Sequence, residues 1–327
     1  MSRLVPYAAD LKSIRAAASR IAGAAHVTPV MTSSALDELA GRRLYFKCEN
    51  FQKMGAFKFR GACNAIHLLD RSVADRGVVT HSSGNFAQAL ALAARSAGIP
   101  AYIVMPSSAP AVKQHAVAGY GGQITLCAPN LEARAEAAAR VQRATGATLL
   151  HPYDHPDVIA GQGTVALEFL AQVPTLEGII APLGGGGLLS GITLAARELK
   201  PELAVYGAEP SGADDAYRSK RAGRWILQSA PDTIADGLLT SLGEWTWPVI
   251  RDLVTDVFVV DDDAILRAMR LIWERMKIVV EPSAAVPLAV VLSAPFQANC
   301  TREPIGLVLS GGNVDLDSLA WSPTERG

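Results

Sequence analysis

The 327-residue chain is short of several things, and each shortage excludes a class of protein. Cysteine is scarce: Cys48, Cys63, Cys127 and Cys300 are scattered with no Cys-x-x-Cys pair, which argues against a disulfide framework or a zinc knuckle. Excess charge of one sign is missing. The 30 basic residues oppose 31 acidic ones for a formal charge of -1, so no broad electrostatic footprint for nucleic acid exists. No apolar run is long enough to cross a bilayer. A long uncharged stretch, 178–196, contains Pro182 and four successive glycines, which is loop chemistry. The opening Met-Ser-Arg-Leu-Val-Pro-Tyr lacks the apolar core of a signal peptide. Repeats, low-complexity tracts and long charge runs are absent as well. An ordinary globular composition remains, 50% hydrophobic and 19% charged. At this length it suits one large α/β unit or two modest domains. The expectation is a soluble cytoplasmic protein that handles a small molecule and has no nucleic-acid or membrane partner.

What is present is alternation. Short apolar runs at 44–48, 77–80, 101–105, 123–127, 178–182, 204–208 and 305–309 have the composition of buried strands. Alanine-rich helices lie between them. Residues 131–145 put Glu132, Arg134, Glu136, Arg140 and Arg143 on a wet face, and 264–279 put Ile265, Met269, Ile272 and Met276 on one stripe. Such alternation predicts mostly parallel sheets with right-handed crossovers. Residues 77–148 hold several consecutive βα units and form a sheet of their own. His151-Pro-Tyr-Asp-His-Pro then leads back to a larger sheet from Ile179 onward. Open α/β sheets bind ligands beyond the carboxyl ends of their strands, so the loops there carry the functional question.

Four such loops stand out. Pro182-Leu-Gly-Gly-Gly-Gly-Leu-Leu-Ser-Gly191 leaves a strand and opens a helix. Converging backbone N–H groups and the positive end of the helix dipole make it an anion cup. No Gly-Lys-Ser/Thr follows, which excludes a Walker loop. A Gly-x-Gly-x-x-Gly fingerprint begun at Gly184 or Gly185 fails at Leu189 or Ser190, and a monophosphate fits best. The second loop, from Glu49 to Ala62, places Lys58 between Phe57 and Phe59. Desolvation there would lower the lysine pKa and make the amine nucleophilic toward a carbonyl. A surface lysine snorkelling past aromatics is the competing reading. The third, Thr80-His-Ser-Ser-Gly-Asn-Phe86, offers the Ser82 and Ser83 hydroxyls, the Asn85 amide and N–H donors suited to a carboxylate, or serves only as a helix cap. The fourth is the polar turn Ser310-Gly-Gly-Asn-Val-Asp315.

Gly-Ala-Phe-Lys58-Phe-Arg-Gly-Ala, Ser-Ser-Gly-Asn, the tetraglycine loop and Ser-Gly-Gly-Asn-Val-Asp-Leu follow one another in this order. The set resembles the fold-type-II pyridoxal-phosphate family that includes serine racemase, serine/threonine dehydratases and β-hydroxyaspartate dehydratases. The resemblance runs from Thr28-Pro to Leu319-Ala-Trp321. It takes in Asp154, Val158-Ile-Ala-Gly-Gln-Gly-Thr164, Gly207-Ala-Glu-Pro210 and Ile234-Ala-Asp-Gly237. It implies an α/β fold of tryptophan-synthase-β-like architecture with two doubly wound domains. The smaller, 73–149, is mobile, carries the Ser-Ser-Gly-Asn loop and is inserted in the larger, 1–72 and 150–327. It also implies that Lys58 takes up pyridoxal 5'-phosphate and Phe57 packs the ring. Gly184, Gly185, Gly186 and Gly187 would hold the phosphate, Asn85 the 3'-oxygen, and Ser310 would face the pyridine nitrogen. The backbone of Ser83, Gly84 and Asn85 would clamp the substrate carboxylate, with Ser82 and Phe86 beside it.

A neutral Ser310 hydroxyl does not hold the ring protonated as a carboxylate would. The ring is then a weaker electron sink, and expulsion of a β-leaving group is favoured over transamination. Phe59 follows Lys58 where cysteine synthase and threonine synthase relatives carry Asp. The implied reaction is dehydration and deamination of a β-hydroxy-α-amino acid, of serine or threonine type, to a 2-oxo acid and ammonia. A serine or aspartate racemase with Ser83 on the opposite face of the α-carbon, a hydroxyaspartate dehydratase, and a non-catalytic binding module are the alternatives.

One position departs from the family: Phe86 stands where His is usual. An aromatic surface suits an apolar or aromatic β-substituent such as that of phenylserine, with stacking worth about 0.5–1.5 kcal/mol, unless the ring only packs behind the loop. Glu209, Ala213 and Asp215 match the cation site of the racemase-like branch. Two carboxylates and a carbonyl are hard ligands suited to Mg²⁺, Ca²⁺ or Mn²⁺, a monovalent ion also being open. His151 and His155 have the spacing of helical zinc ligands, but Pro152 and Pro156 interrupt any helix there. His26, His67 and His115 are expected to pack or face solvent. Relatives are dimers, so a homodimer is expected. No regulatory tail follows Trp321, so amino-acid feedback is not.

Overall fold

The computed structural model describes residues 7–82, 84–109 and 111–316. Ser83 and the far end of the resemblance, 319–321, therefore lie outside the described residues. Ten strands are found among the described residues: β1 (Val30–Met31), β2 (Leu44–Cys48), β3 (Val78–His81), β4 (Ala101–Pro106), β5 (Gln123–Cys127), β6 (Thr148–Leu149), β7 (Gly178–Pro182), β8 (Ala204–Pro210), β9 (Asp256–Val260) and β10 (Ile305–Leu309). One sheet has the order β1-β2-β10-β7-β8-β9, antiparallel at β1 and parallel elsewhere. The other, β5-β4-β3-β6, is parallel throughout. All four of its strands fall between β2 and β7, so the chain leaves the large sheet, builds the small one and returns. No described helix is long and apolar enough to cross a membrane.

The large sheet is buried on both faces, as continuous apolar strands require. Ile180, Leu307 and Leu309 face a core shared with helices Asp262–Leu271 and Pro282–Val291. Ile179, Ala181 and Val308 point the other way, toward helices Pro156–Gln172 and Gly187–Leu199. This is the period-2 alternation of side chains along a strand.

Several expected elements are corrected. β3 starts at Val78 because Gly77, at φ +79, belongs to the preceding turn. β8 continues through Pro210. β9 was not expected: its four apolar residues end in an acidic run, and it pairs only with β8 at the sheet edge. The helix expected over 264–279 is really Asp262–Leu271, capped by the Asp261 side chain. It widens into a π turn at Ile272–Met276 and stops at Lys277, whose φ of 60 cannot continue a right-handed helix. The expected stripe of Ile265, Met269, Ile272 and Met276 is buried all the same. Helix Leu131–Thr145 has the expected bounds, with Asn130 capping Ala133 and Gly146 ending it.

Two glycine contacts set the scaffold of the candidate site. Helix Lys58–His67 crosses Pro156–Gln172 where a Cβ on Gly161 would stand 2.6 Å from the Cα of Gly61. Pro156–Gln172 crosses Gly187–Leu199 where a Cβ on Gly191 would stand 2.5 Å from the nitrogen of Gly163. One helix thus holds both the Lys58 helix and the glycine-loop helix at backbone range.

Candidate active site

The chain from β2 to Lys58 passes through two short turns. Met54 adopts a left-handed φ of 56, unusual for a non-glycine residue, and its carbonyl accepts from Asn313 Nδ2 at 2.8 Å. Ala56 bridges Gly311, and the Phe57 amide donates to the Ser310 carbonyl at 3.0 Å. Lys58 begins its helix there. Its side chain is partly exposed, but its amine lies deep in the protein. Lys58 Nζ donates to the Pro152 carbonyl at 2.8 Å. The ring centroids of Phe57, Phe86 and Tyr153 surround it at 5.1, 5.8 and 5.9 Å. Burial brings its pKa down to about 8, opposed by the negative charge of Glu281.

Two residues along, Arg60 ties this helix down from within the core. Its guanidinium donates to both Glu49 oxygens at 2.7 and 2.8 Å and to both Glu168 oxygens at 2.6 and 2.8 Å. Lys47 Nζ donates to Glu168 at 2.7 Å, so two cations meet two carboxylates. The partners come from β2, the following turn and residue 168, a convergence that local spacing does not reveal.

On the large-sheet side, Gly186 sits at φ 86 before helix Gly187–Leu199, and no side chain caps that helix start. The first N–H groups of a helix have no intrahelical partner, so donors remain open there. The Ser190 hydroxyl, buried in the first turn, also has no partner. The loop is closed in from behind. A Cβ on Gly185 would overlap the Tyr153 ring, and one on Gly187 would stand 2.9 Å from the Tyr153 carbonyl. Thr246 Oγ1 donates to the Gly185 carbonyl at 2.8 Å. Tyr153 therefore lines both the glycine loop and the lysine. It stands between His151 and His155, whose spacing draws attention to the histidines and gives no local sign of its role. Uncapped donors beside a desolvated amine fit a phosphorylated aldehyde such as pyridoxal 5'-phosphate.

The small-sheet side contributes the start of helix Asn85–Ala97. Ser82 Oγ accepts from the Gly84 amide at 3.4 Å. Asn85 Nδ2 donates to both oxygens of Glu281, at 2.8 and 3.1 Å, while its Oδ1 accepts from Asn313 Nδ2 at 2.9 Å. Phe86, only 1% exposed, packs in a core with Phe59 and Leu90 and also borders Lys58. Ser310 is buried at the end of β10. Glu281 was missed in the sequence, although it is the only charged residue within 278–291. Burial, with the nearby charge of Asp236, pushes its pKa up to about 8.

Glu209 at the end of β8, Ala213 in the turn Ser211–Ala213 and Asp215 at the start of helix Asp215–Ala222 form a second group. Glu209 accepts from the amides of Ala216 and Tyr217 at 3.2 and 2.8 Å. Asp215 Oδ2 accepts from the Leu242 amide at 3.2 Å, and its buried Oδ1 has no partner. Burial, then the charge of Asp215, raises the Glu209 pKa well above the usual range, and burial pushes Asp215 up to about 6. Two buried carboxylates with an orphaned oxygen suit a hard cation. No three of His, Cys, Asp and Glu cluster among the described residues, so a further donor such as the Ala213 carbonyl would have to add to the two carboxylates. The histidines serve locally. His151 Nδ1 accepts from the Asp154 amide at 2.9 Å, and His155 Nδ1 accepts from that of Asp157 at 3.2 Å, capping Pro156–Gln172.

Comparison with known proteins identifies the family. The family of pyridoxal-phosphate dependent enzymes matches residues 21–311. A serine racemase of Oryza sativa subsp. indica is 53% identical over 323 residues, which are 98% of this chain and 95% of that protein. A beta-hydroxyaspartate dehydratase of Paracoccus denitrificans (strain Pd 1222) is 48% identical over 316 residues, 97% of this chain and 100% of that protein. The structure of maize serine racemase superposes with a TM-score of 0.94 at 52% identity, covering 95% of each chain. The chain thus belongs to the fold-type-II pyridoxal-phosphate dependent enzymes, the family of serine racemase and β-hydroxyaspartate dehydratase.

Proposed function

We propose that this enzyme removes the β-hydroxyl and the amino group of a β-hydroxy-α-amino acid, giving a 2-oxo acid and ammonia. The observation that carries the reading is the Lys58 amine, buried among three rings and brought down to about 8, beside an uncapped glycine loop. When bound, pyridoxal 5'-phosphate supplies the electron sink that stabilises negative charge at the substrate α-carbon. The N–H groups of Gly184 to Gly187 and the helix dipole hold its phosphate. Phe57 would pack the ring, and Asn85 would hold the 3'-oxygen with one Nδ2 hydrogen while the other is shared between the two Glu281 oxygens. Lys58 would hold the aldehyde, and its Nζ would be the base that takes the α-proton. The rings around it exclude water, which strengthens every polar contact inside. N–H groups at the start of helix Asn85–Ala97 hold the substrate carboxylate. Ser310, facing the ring nitrogen, offers a neutral hydroxyl, which favours loss of the β-group. Glu209, Ala213 and Asp215 hold a divalent cation that neutralises two buried carboxylates. The small domain moves over the substrate, and the enzyme works as a homodimer.

Phe86 gives the cleft an apolar wall where relatives usually present His, which suits an aromatic β-substituent. Incubation with serine, threonine, phenylserine and hydroxyaspartate, scored by ammonia and 2-oxo acid, tests the reading, with Lys58→Ala as the inactive control. Preference for hydroxyaspartate ends the aromatic-wall idea. The rice and maize relatives favour a second reading, racemisation. Chiral chromatography separates the two: a D-amino acid for racemisation, a 2-oxo acid for dehydration.

A further inference from the structure

Asp154 is a half-buried acid for which the proposed reaction has no use. It lies in the segment between β6 and helix Pro156–Gln172, two residues beyond the carbonyl that holds the reactive amine. That carbonyl, of Pro152, accepts from Lys58 Nζ at 2.8 Å. The Asp154 amide donates to His151 Nδ1 at 2.9 Å, which closes the turn on either side of Pro152 and Tyr153. Proline stiffens the turn further, because its ring fixes φ. The Asp154 side chain grips a second segment. Its Oδ2 accepts from the Glu244 amide at 2.9 Å and its Oδ1 from the Trp245 amide at 2.8 Å. Contact is close enough that a Cβ on Gly243 would overlap the carboxyl.

The gripped segment runs straight into the glycine loop. The next residue, Thr246, is buried, and its hydroxyl accepts from the Gly243 amide and donates to the Gly185 carbonyl, each at 2.8 Å. A Cβ on Gly186 would stand 2.8 Å from the Cβ of Thr246. One run of contacts therefore starts at the Lys58 amine and passes through the Pro152 carbonyl and the Asp154 carboxyl. It continues through the amides of Glu244 and Trp245 and the Thr246 hydroxyl, and it ends on the loop. Tyr153 packs against both ends as well, but ring packing has no preferred direction. Hydrogen bonds fix distance and angle together.

We propose that Asp154 is a positioning residue that sets the spacing between the Lys58 amine and the glycine loop, so that the aldehyde and the phosphate of one ligand reach both together. The amine adds to the aldehyde carbon, a carbon–nitrogen double bond forms, and the aldehyde oxygen leaves as water. Asp154 takes no part in that exchange. It acts by holding the two binding points in register, which lets the phosphate raise the effective concentration of the aldehyde at the amine. The inference rests on the reading of Lys58 as the aldehyde site and of the loop as the phosphate site.

The test compares one aldehyde with and without its phosphate and needs no turnover. The full-length chain, freed of bound aldehyde, is mixed with pyridoxal phosphate or with pyridoxal, and the rate of imine absorbance is followed for each. Inorganic phosphate, as a competitor of pyridoxal phosphate, reads the glycine loop alone. In Asp154→Ala the rate advantage of pyridoxal phosphate over pyridoxal should fall by about 10- to 100-fold, the effect of a small misplacement. The pyridoxal rate and the inhibition by inorganic phosphate should stay at the parent values, because each binding point survives by itself. Asp154→Asn keeps one acceptor oxygen and should fall between the two. The proposal is overturned if the advantage is unchanged in Asp154→Ala, or if it falls only as far as the pyridoxal rate or phosphate inhibition falls. Thermal melting shows which variants fold. Should Asp154→Ala not fold, Asp154→Asn decides alone, since an unchanged advantage there is equally fatal. A parent chain that forms no imine with either aldehyde sinks the cofactor reading and this inference together, whereas an imine-forming parent with unresponsive variants sinks the inference alone.

Discussion

Lys58 is an unremarkable lysine in isolation and becomes a reagent through what surrounds it. Its flanking phenylalanines are visible in the sequence, but Phe86 and Tyr153 arrive from residues distant in the chain. With the amine brought down to about 8, the rate of imine formation with pyridoxal phosphate should rise through a midpoint near pH 8. An exposed lysine would need a pH above about 10. Stopped-flow absorbance across that range checks this. His151 gives the opposite sign. Burial, then the charges of His81, Lys58 and His155, pushes its pKa down to about 4, and its Nδ1 must stay unprotonated to accept from Asp154. The unfolded chain binds a proton at this histidine below its ordinary value of 6.5, whereas the folded chain does not until about 4. Its contribution to stability is therefore complete above pH 6.5 and is lost as pH falls through 4. In urea unfolding at neutral pH and at mildly acid pH, His151→Gln should lose about 2 kcal/mol less stability on acidification than the parent.

Helices are joined here by backbone contact and buried charge as much as by apolar packing. Where Gly161 meets Gly61, a methyl group would stand 2.6 Å from one Cα and 2.7 Å from the Arg60 carbonyl. Gly161→Ala should therefore cost about 1–3 kcal/mol by overpacking, seen as a lower melting temperature, and should shift the Lys58 helix. Arg60→Met leaves Glu49 and Glu168 with Lys47 as the only cation in their network. Removing one partner of a buried ion network costs about 3–5 kcal/mol, which chemical denaturation would measure. Neither feature was legible beforehand. A glycine in a helix pattern does not name the helix it touches, and an arginine does not name its carboxylates. The overrun of the 264–279 helix has the same origin. The apolar stripe continues through Met276, but Lys277 turns the backbone left-handed, and no periodicity records that.

The small-sheet and large-sheet parts meet where Asn85 joins Glu281 and Lys113 joins Asp236. The candidate cation ligands Glu209, Ala213 and Asp215 lie at and just after the end of β8. If they hold a divalent ion, adding Mg²⁺, Ca²⁺ or Mn²⁺ should raise the melting temperature, chelation should reverse the gain, and Asp215→Asn should abolish the response. Much of this architecture is written in local order. Apolar runs ending in turns specify the parallel strands, since buried strands must be apolar on both faces. The tetraglycine loop, the lysine between phenylalanines and the Ser-Ser-Gly-Asn turn specify the family, since each chemistry needs its own residue types side by side. Tertiary structure alone decided the surroundings: the third ring near Lys58, the carboxyl of Glu281, the ion network of Arg60 and the orphaned oxygen of Asp215. Proton affinities and close contacts depend on groups brought within a few ångströms from distant parts of the chain, and only the folded packing sets those distances.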